Sequence, residues 1–138
     1  MNKKKIIALA MSIIMVLSMV IIASAAESKP GKPQKPTLTI TKNATNYVKV
    51  KSKWSKVSGS NIYYIVQFKS ENDISDPLMI GPNTYTVEGT SKTIKCTRDT
   101  IKYKVKTRVR AVKRTSKGKT LKGSWSDWSS WIVVKPSK

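Results

Sequence analysis

The sequence contains no histidine and a single cysteine, Cys96, in 138 residues. Without histidine it lacks the commonest general base and the commonest metal ligand. One cysteine excludes an internal disulfide framework and any thiolate zinc site. Acidic residues are also scarce, with 7 Asp+Glu against 27 Lys+Arg and a formal net charge of +20. Glycoside hydrolysis needs two carboxylates facing one bond at ~5–9.5 Å. Glu71, Asp73 and Asp76 share one loop, but no companion acidic run accompanies them. They read as solvated loop residues, not as calcium ligands. Neither G-x-S-x-G nor G-x-x-x-x-G-K-[ST] occurs, and a serine nucleophile would find only lysine as its base. The sequence reads as that of a non-enzyme, with no cofactor and no metal site.

What is present begins with an address. Met1–Lys5 carries three lysines, Ile6–Ile22 is apolar apart from Ser12 and Ser18, and Ala23-Ser24-Ala25 follows. A basic start, an apolar run and an A-x-A site together predict a secretory signal over residues 1–25. An uncleaved membrane anchor is the alternative, the run being near the lower limit for a spanning helix. Neither a cysteine for lipid attachment nor a second hydrophobic segment follows, so the processed product is expected outside the cell and free of the membrane. It would hold 24 basic and 7 acidic residues, a net charge of +17. Cys96 lies in an alternating apolar segment, where a lone cysteine is more often a small buried hydrophobe than a reactive thiol.

Residues 26–36 include three prolines and three lysines, which predicts an extended, solvated linker. Beyond it the apolar period is two almost throughout. Tyr47–Trp54 places Val48, Val50, Ser52 and Trp54 on one side and Lys49, Lys51 and Lys53 on the other. After the turn signal Ser58–Asn61, Ile62–Lys69 is dense in β-formers, with Tyr64, Val66 and Phe68 on one face. Ser70–Asn83 reads as loop, with Leu78–Ile80 a short edge strand; Tyr85–Glu88 and Thr93–Cys96 are short strands. Lys102–Lys113 alternates Tyr103, Val105, Thr107, Val109 and Ala111 with Lys104, Lys106, Arg108 and Arg110. Arg114–Gly123 reads as a basic hairpin turn and Trp125–Val134 as the last strand. About seven short strands separated by turn signals predict an all-β sandwich over residues 37–138. Its expected interior is Val48, Val50, Trp54, Tyr64, Val66, Phe68, Ile94, Cys96, Val105, Val109 and Ala111.

Several segments occur in a telling order: Pro36-Thr37-Leu38-Thr39-Ile40, VKVKSKW ending at Trp54, YYIVQFK, YKVKTRVRAVK, and GSWSDWSSW. In that order and spacing, residues 34–138 resemble a bacterial, secreted fibronectin type III domain, a seven-stranded immunoglobulin-like sandwich. The family sets a tyrosine six residues before the alanine of the VRA segment. Here that position is Val105, with Tyr103 two residues earlier on the same face. Trp125-Ser126-Asp127-Trp128-Ser129 also matches the WSxWS pattern of cytokine-receptor fibronectin domains. The resemblance implies a structural ladder in which Trp125 and Trp128 stack with Arg108, Arg110 and Lys106. Cation–π energetics support this independently, since those cations share one parity on their strand. Trp131 continues the row and is expected to stand freer, either as a platform for a sugar or base or packed under the loop before Tyr85.

Two functions compete. The first is a secreted, non-catalytic binding or spacer module that contacts a protein or glycan through Tyr63, Arg108, Arg110, Lys117, Lys119 and Trp131. The second is a polyanion binder, held at the cell surface by charge on anionic wall polymer such as teichoic acid, on anionic glycan or on extracellular nucleic acid. The lysine- and isoleucine-rich, arginine-poor usage fits the expectation of a low-GC, Gram-positive-type bacterium.

Overall fold

The computed structural model describes residues 27–72, 83–98 and 100–137. The signal segment over residues 1–25 and the Leu78–Ile80 strand lie outside the described residues. The elements, in chain order, are β1 (Thr37–Asn43), β2 (Tyr47–Lys53), β3 (Ile62–Asn72), β4 (Thr84–Val87), β5 (Ser91–Thr97), β6 (Tyr103–Arg114), β7 (Thr120–Trp125) and β8 (Ile132–Val134). They form two antiparallel sheets, β1-β2-β5 and β4-β3-β6-β7, with β8 paired to β6 beyond β7. This is the all-β sandwich of two antiparallel sheets that the alternation predicts.

The core follows from the period of two. Alternate residues of each strand meet between the layers, so Val48 and Val50 of β2 and Ile94 and Cys96 of β5 face Tyr64, Val66 and Phe68 of β3 and Val105, Val109 and Ala111 of β6. Trp54, just past β2, packs edge-on to Tyr64 at 5.6 Å, and Phe68 meets Tyr85 edge-on at 6.0 Å. All eleven residues expected inside are buried, joined by Tyr103 and Val134. The Tyr103 hydroxyl donates to the Thr97 carbonyl at 2.6 Å. Tyr103, not the residue at position 105, therefore ties the β5–β6 connection to the strand. Cys96 is buried, and desolvation pushes its thiol up to about 11. It behaves as a small core hydrophobe.

Three local expectations change. Residues 70–72 extend β3 instead of opening a loop, because β6 is long enough to pair them, Ser70 with Val105 and Glu71 with Lys104. The β6–β7 turn is shorter than its polar composition suggests. Thr115 N–H bonds Lys119 O at 2.8 Å, with Gly118 at a φ of 78° that only glycine adopts easily. Thr120–Ser124 thereby becomes strand, pairing with the end of β6. The segment read as one last strand splits into the end of β7, an irregular stretch over 126–131, and β8.

Residues 27–36 make no ladder, as their prolines require, but they are not a solvated tether. Prolines recur at 30, 33 and 36, and Pro33 and Pro36 are buried. The segment runs between β7 and the residues that follow β2. Lys32 Nζ reaches Asp127 at 3.1 Å, Glu27 Oε1 accepts from the Ser116 hydroxyl at 3.0 Å, and Ser55 bonds Gln34 at 3.3 Å. Position 123 must be glycine for this docking, since a Cβ there would lie 2.7 Å from the Pro30 carbonyl oxygen. A three-residue proline period puts the rings on one side of an extended, three-residue-per-turn chain and the lysines at 29, 32 and 35 on another.

Candidate functional site: an indole–cation stack on one sheet and a bare lysine row on the other

On β6 the residues outside the core are Lys104, Lys106, Arg108 and Arg110, all half-buried. Same-side residues of a strand lie ~6.6–6.8 Å apart. The tryptophans facing them recur every third residue, at 125, 128 and 131. To keep step, the tryptophan-bearing segment must advance only about 2.2 Å per residue, well below the ~3.3 Å of a strand. Ordinary strand geometry is therefore impossible there, which is why the ladder breaks between β7 and β8.

Serine supplies the replacement. Ser126 N–H donates to Val109 O at 2.7 Å, and Val109 N–H donates back to the Ser126 hydroxyl at 3.0 Å. Three residues on, Ser129 N–H donates to Thr107 O at 2.8 Å, and Thr107 N–H to the Ser129 hydroxyl at 3.0 Å. Each hydroxyl in turn donates to the carbonyl of the following residue, Ser126 to Asp127 and Ser129 to Ser130, both at 2.9 Å. A short side-chain oxygen thus stands where a strand would offer a backbone carbonyl, and the Val109 and Thr107 amides keep an acceptor. In the third triplet the serine position is Ile132, which has no hydroxyl. Backbone pairing resumes there, Val105 with Ile132, and β8 begins.

The side chains above this backbone form one continuous stack. Arg110 lies 4.7 Å from the Trp125 ring centre, and Arg108 4.4 Å from Trp125 and 4.6 Å from Trp128. Lys106 lies 4.8 Å from Trp128 and 4.4 Å from Trp131, and Lys104 4.7 Å from Trp131. The freer Trp131 expected from the sequence is instead a full member of the row, in contact with two ammonium groups. Lys104 was missed by sequence reasoning; its parity with Lys106 and the third step of the tryptophan period are the signals that place it. The guanidinium groups are fixed further, Arg108 Nε to Gln67 Oε1 at 2.7 Å and Arg110 Nε to Gly123 O at 3.2 Å. Each cation–indole contact contributes ~0.5–1 kcal/mol when exposed and more when desolvated.

The remaining candidate binding residues lie elsewhere. Tyr63, on the same sheet face, carries Arg114 at 4.5 Å over its ring. Lys117 and Lys119 are exposed in the β6–β7 turn, apart from the stack. The structure brings Arg108, Arg110 and Trp131 together and leaves the turn lysines separate.

The outer face of the three-stranded sheet is built differently. β2 presents Lys49, Lys51 and Lys53, flanked by Thr37 and Thr39 of β1 and by Ser91, Thr93 and Lys95 of β5. Lys49 sits directly between Lys42 and Lys95. The one aromatic ring here, Tyr47, is approached by Lys95 at 4.3 Å and Lys42 at 5.5 Å, and its hydroxyl pKa is lowered, chiefly by a hydrogen bond to Lys42. Every described carboxylate belongs to or contacts the other sheet and its connections: Glu71 in β3, Glu88 on Arg114, Asp127 beside β7, and Glu27 on the β6–β7 turn. Among the described residues no group of three His, Cys, Asp or Glu side chains could hold a metal ion, and no helix is long and apolar enough to cross a membrane.

Fold and stack together define an all-β sandwich of two antiparallel sheets whose last segment carries indoles alternating with the cations of β6. No protein-family model and no curated protein matches the chain. Among solved structures it is similar to the fibronectin type-III domain of human fibronectin type III domain containing protein 3, at 24% identity over 83% of this chain and 94% of that one, with a TM-score of 0.44. It is also similar to a chain of a cytokine receptor complex, at 21% identity over 78% of this chain and 53% of that one, with a TM-score of 0.45.

Proposed function

We propose that the protein is a secreted, non-catalytic binding module that works through its outer surface. The observation that carries this reading is the dispersal of its chemistry. The sequence has no histidine, and the four described carboxylates each sit with a different element, so among the described residues no two carboxylates converge on one cleft. The leading partner class is a protein or glycan, met on the five-stranded sheet beside Tyr63 or at the Lys117–Lys119 turn. Export rests on the signal-like residues 1–25, and a bacterial origin on residue usage.

A specific observation favours a second reading, in which the partner is a polyanion. The lysines of β2 have no carboxylate partner among the described residues, and net positive charge on so small a domain draws anions and holds the protein at a negative surface. Retention of the purified protein on isolated cell-wall material and on a sulfated resin, across a salt series, tests both readings. The polyanion reading expects retention that falls steeply as salt rises. Salt-independent retention on wall material favours glycan or protein contacts, and elution at low salt from both removes the polyanion reading.

A further inference from the structure

We infer that the outer face of the β1-β2-β5 sheet is a docking track for a linear polyol phosphate polymer, with Lys49, Lys51 and Lys53 as its line of contacts and Lys42 and Lys95 as flankers. The inference rests on the polyanion reading and assigns it a place and a ligand chemistry. Lys49 faces a lysine on each neighbouring strand, Lys42 on β1 and Lys95 on β5. Like charges directly opposite across a ladder destabilise a sheet, and no described carboxylate relieves them. An anion seated there removes a repulsion that folding has built in.

The geometry selects the kind of anion. Alternate lysines of β2 stand ~6.6–6.8 Å apart in a straight row, which suits a linear polymer with a phosphate in every short repeat. The neighbouring Thr37, Thr39, Ser91 and Thr93 offer hydroxyls on both sides of that row, suited to the polyol. Single-stranded nucleic acid is disfavoured, because proteins that bind it stack bases on free aromatic rings. Tyr47, the one ring on this face, already lies against Lys95 and Lys42, and the three stacked indoles lie on the opposite sheet.

The test uses the purified protein, a defined poly(glycerol phosphate), and an oligothymidylate of equal charge. Binding is followed by calorimetry from 50 to 300 mM salt and by thermal melting. The expected result is tighter binding of the polyol phosphate, a rise in Tm on binding, and log K falling linearly with log salt. Lys49→Gln/Lys51→Gln/Lys53→Gln should weaken binding at least tenfold and lower the salt slope by about 2–3. Lys117→Gln/Lys119→Gln should change affinity less than twofold. Melting of the unliganded triple variant shows that it is folded. Binding that survives the triple substitution but is lost with the turn pair overturns this face while leaving the polyanion reading intact. Tighter oligothymidylate binding overturns the ligand assignment. Absence of binding to either polymer at 50 mM salt overturns the docking track, and together with low-salt elution from the sulfated resin it removes the polyanion reading itself.

Discussion

Both outer faces of the sandwich carry a cation at every second residue, on β2 and on β6, yet the two rows meet different neighbours. On β6 the adjoining segment brings an indole to each gap, so Lys104, Lys106, Arg108 and Arg110 become rungs of a stack. On β2 the adjoining strands bring threonine, serine and more lysine, so Lys49, Lys51 and Lys53 meet neither an indole nor, among the described residues, a carboxylate. Alternation alone makes a residue point outward. What it does there depends on the next strand. The first row lies between indoles, and the second meets no indole.

The comparison can be broken most severely at Trp128. Trp128→Ala removes the ring shared by Arg108 and Lys106 and is expected to cost about 3 kcal/mol, the low end for a large aromatic, or a Tm drop of roughly 10 °C or more. A shift under 2 °C would mean that the stack does not hold the fold. Ser129→Ala is next. It leaves the buried Thr107 amide without an acceptor and should cost about 1–2 kcal/mol, with hydrogen exchange accelerated at that amide and unchanged at Val50. Between the faces, the raised Cys96 pKa makes stability pH-dependent. The stabilisation is whole below about pH 9, where both folded and unfolded thiols are protonated, and is lost as the pH climbs toward 11, because only the unfolded thiol ionises easily. Denaturant titrations of the parent and Cys96→Ala should diverge by about 1 kcal/mol between pH 9 and 10; parallel curves would place the thiol in contact with water. The smallest effects are the sharpest discriminator. Lys106→Gln should lower stability by ~0.5–1 kcal/mol, while Lys49→Gln should raise it by ~0.2–1 kcal/mol through relief of cross-strand repulsion. Equal signs in paired melts would erase the distinction between the faces.

Much of the fold was legible because a half-buried strand writes its register into the alternation of residue types. The turn at Ser58–Asn61, the interior side of β2, β3 and β6, and the burial of Cys96 could all be read that way. The last strand could not. Its residues alternate imperfectly because the tryptophans follow a three-residue period, and their partners follow a two-residue one. Only the Ser126 and Ser129 hydroxyls, bonding β6 amides, reconcile the two. Residues 27–36 misled for a related reason. Proline and lysine are the composition of a solvated tether, and only the approach of Pro30 to Gly123 turns that segment into part of the domain.

The amino-acid order by itself determined an all-β chain, its inward-facing residues, the shortage of catalytic groups and the excess of positive charge, since each is a property of residue type and local spacing. Which strands became neighbours was settled only when the layers closed. Pairing across the sheets is non-local, and it decided that one row of cations lies between indoles while the other has no carboxylate opposite among the described residues.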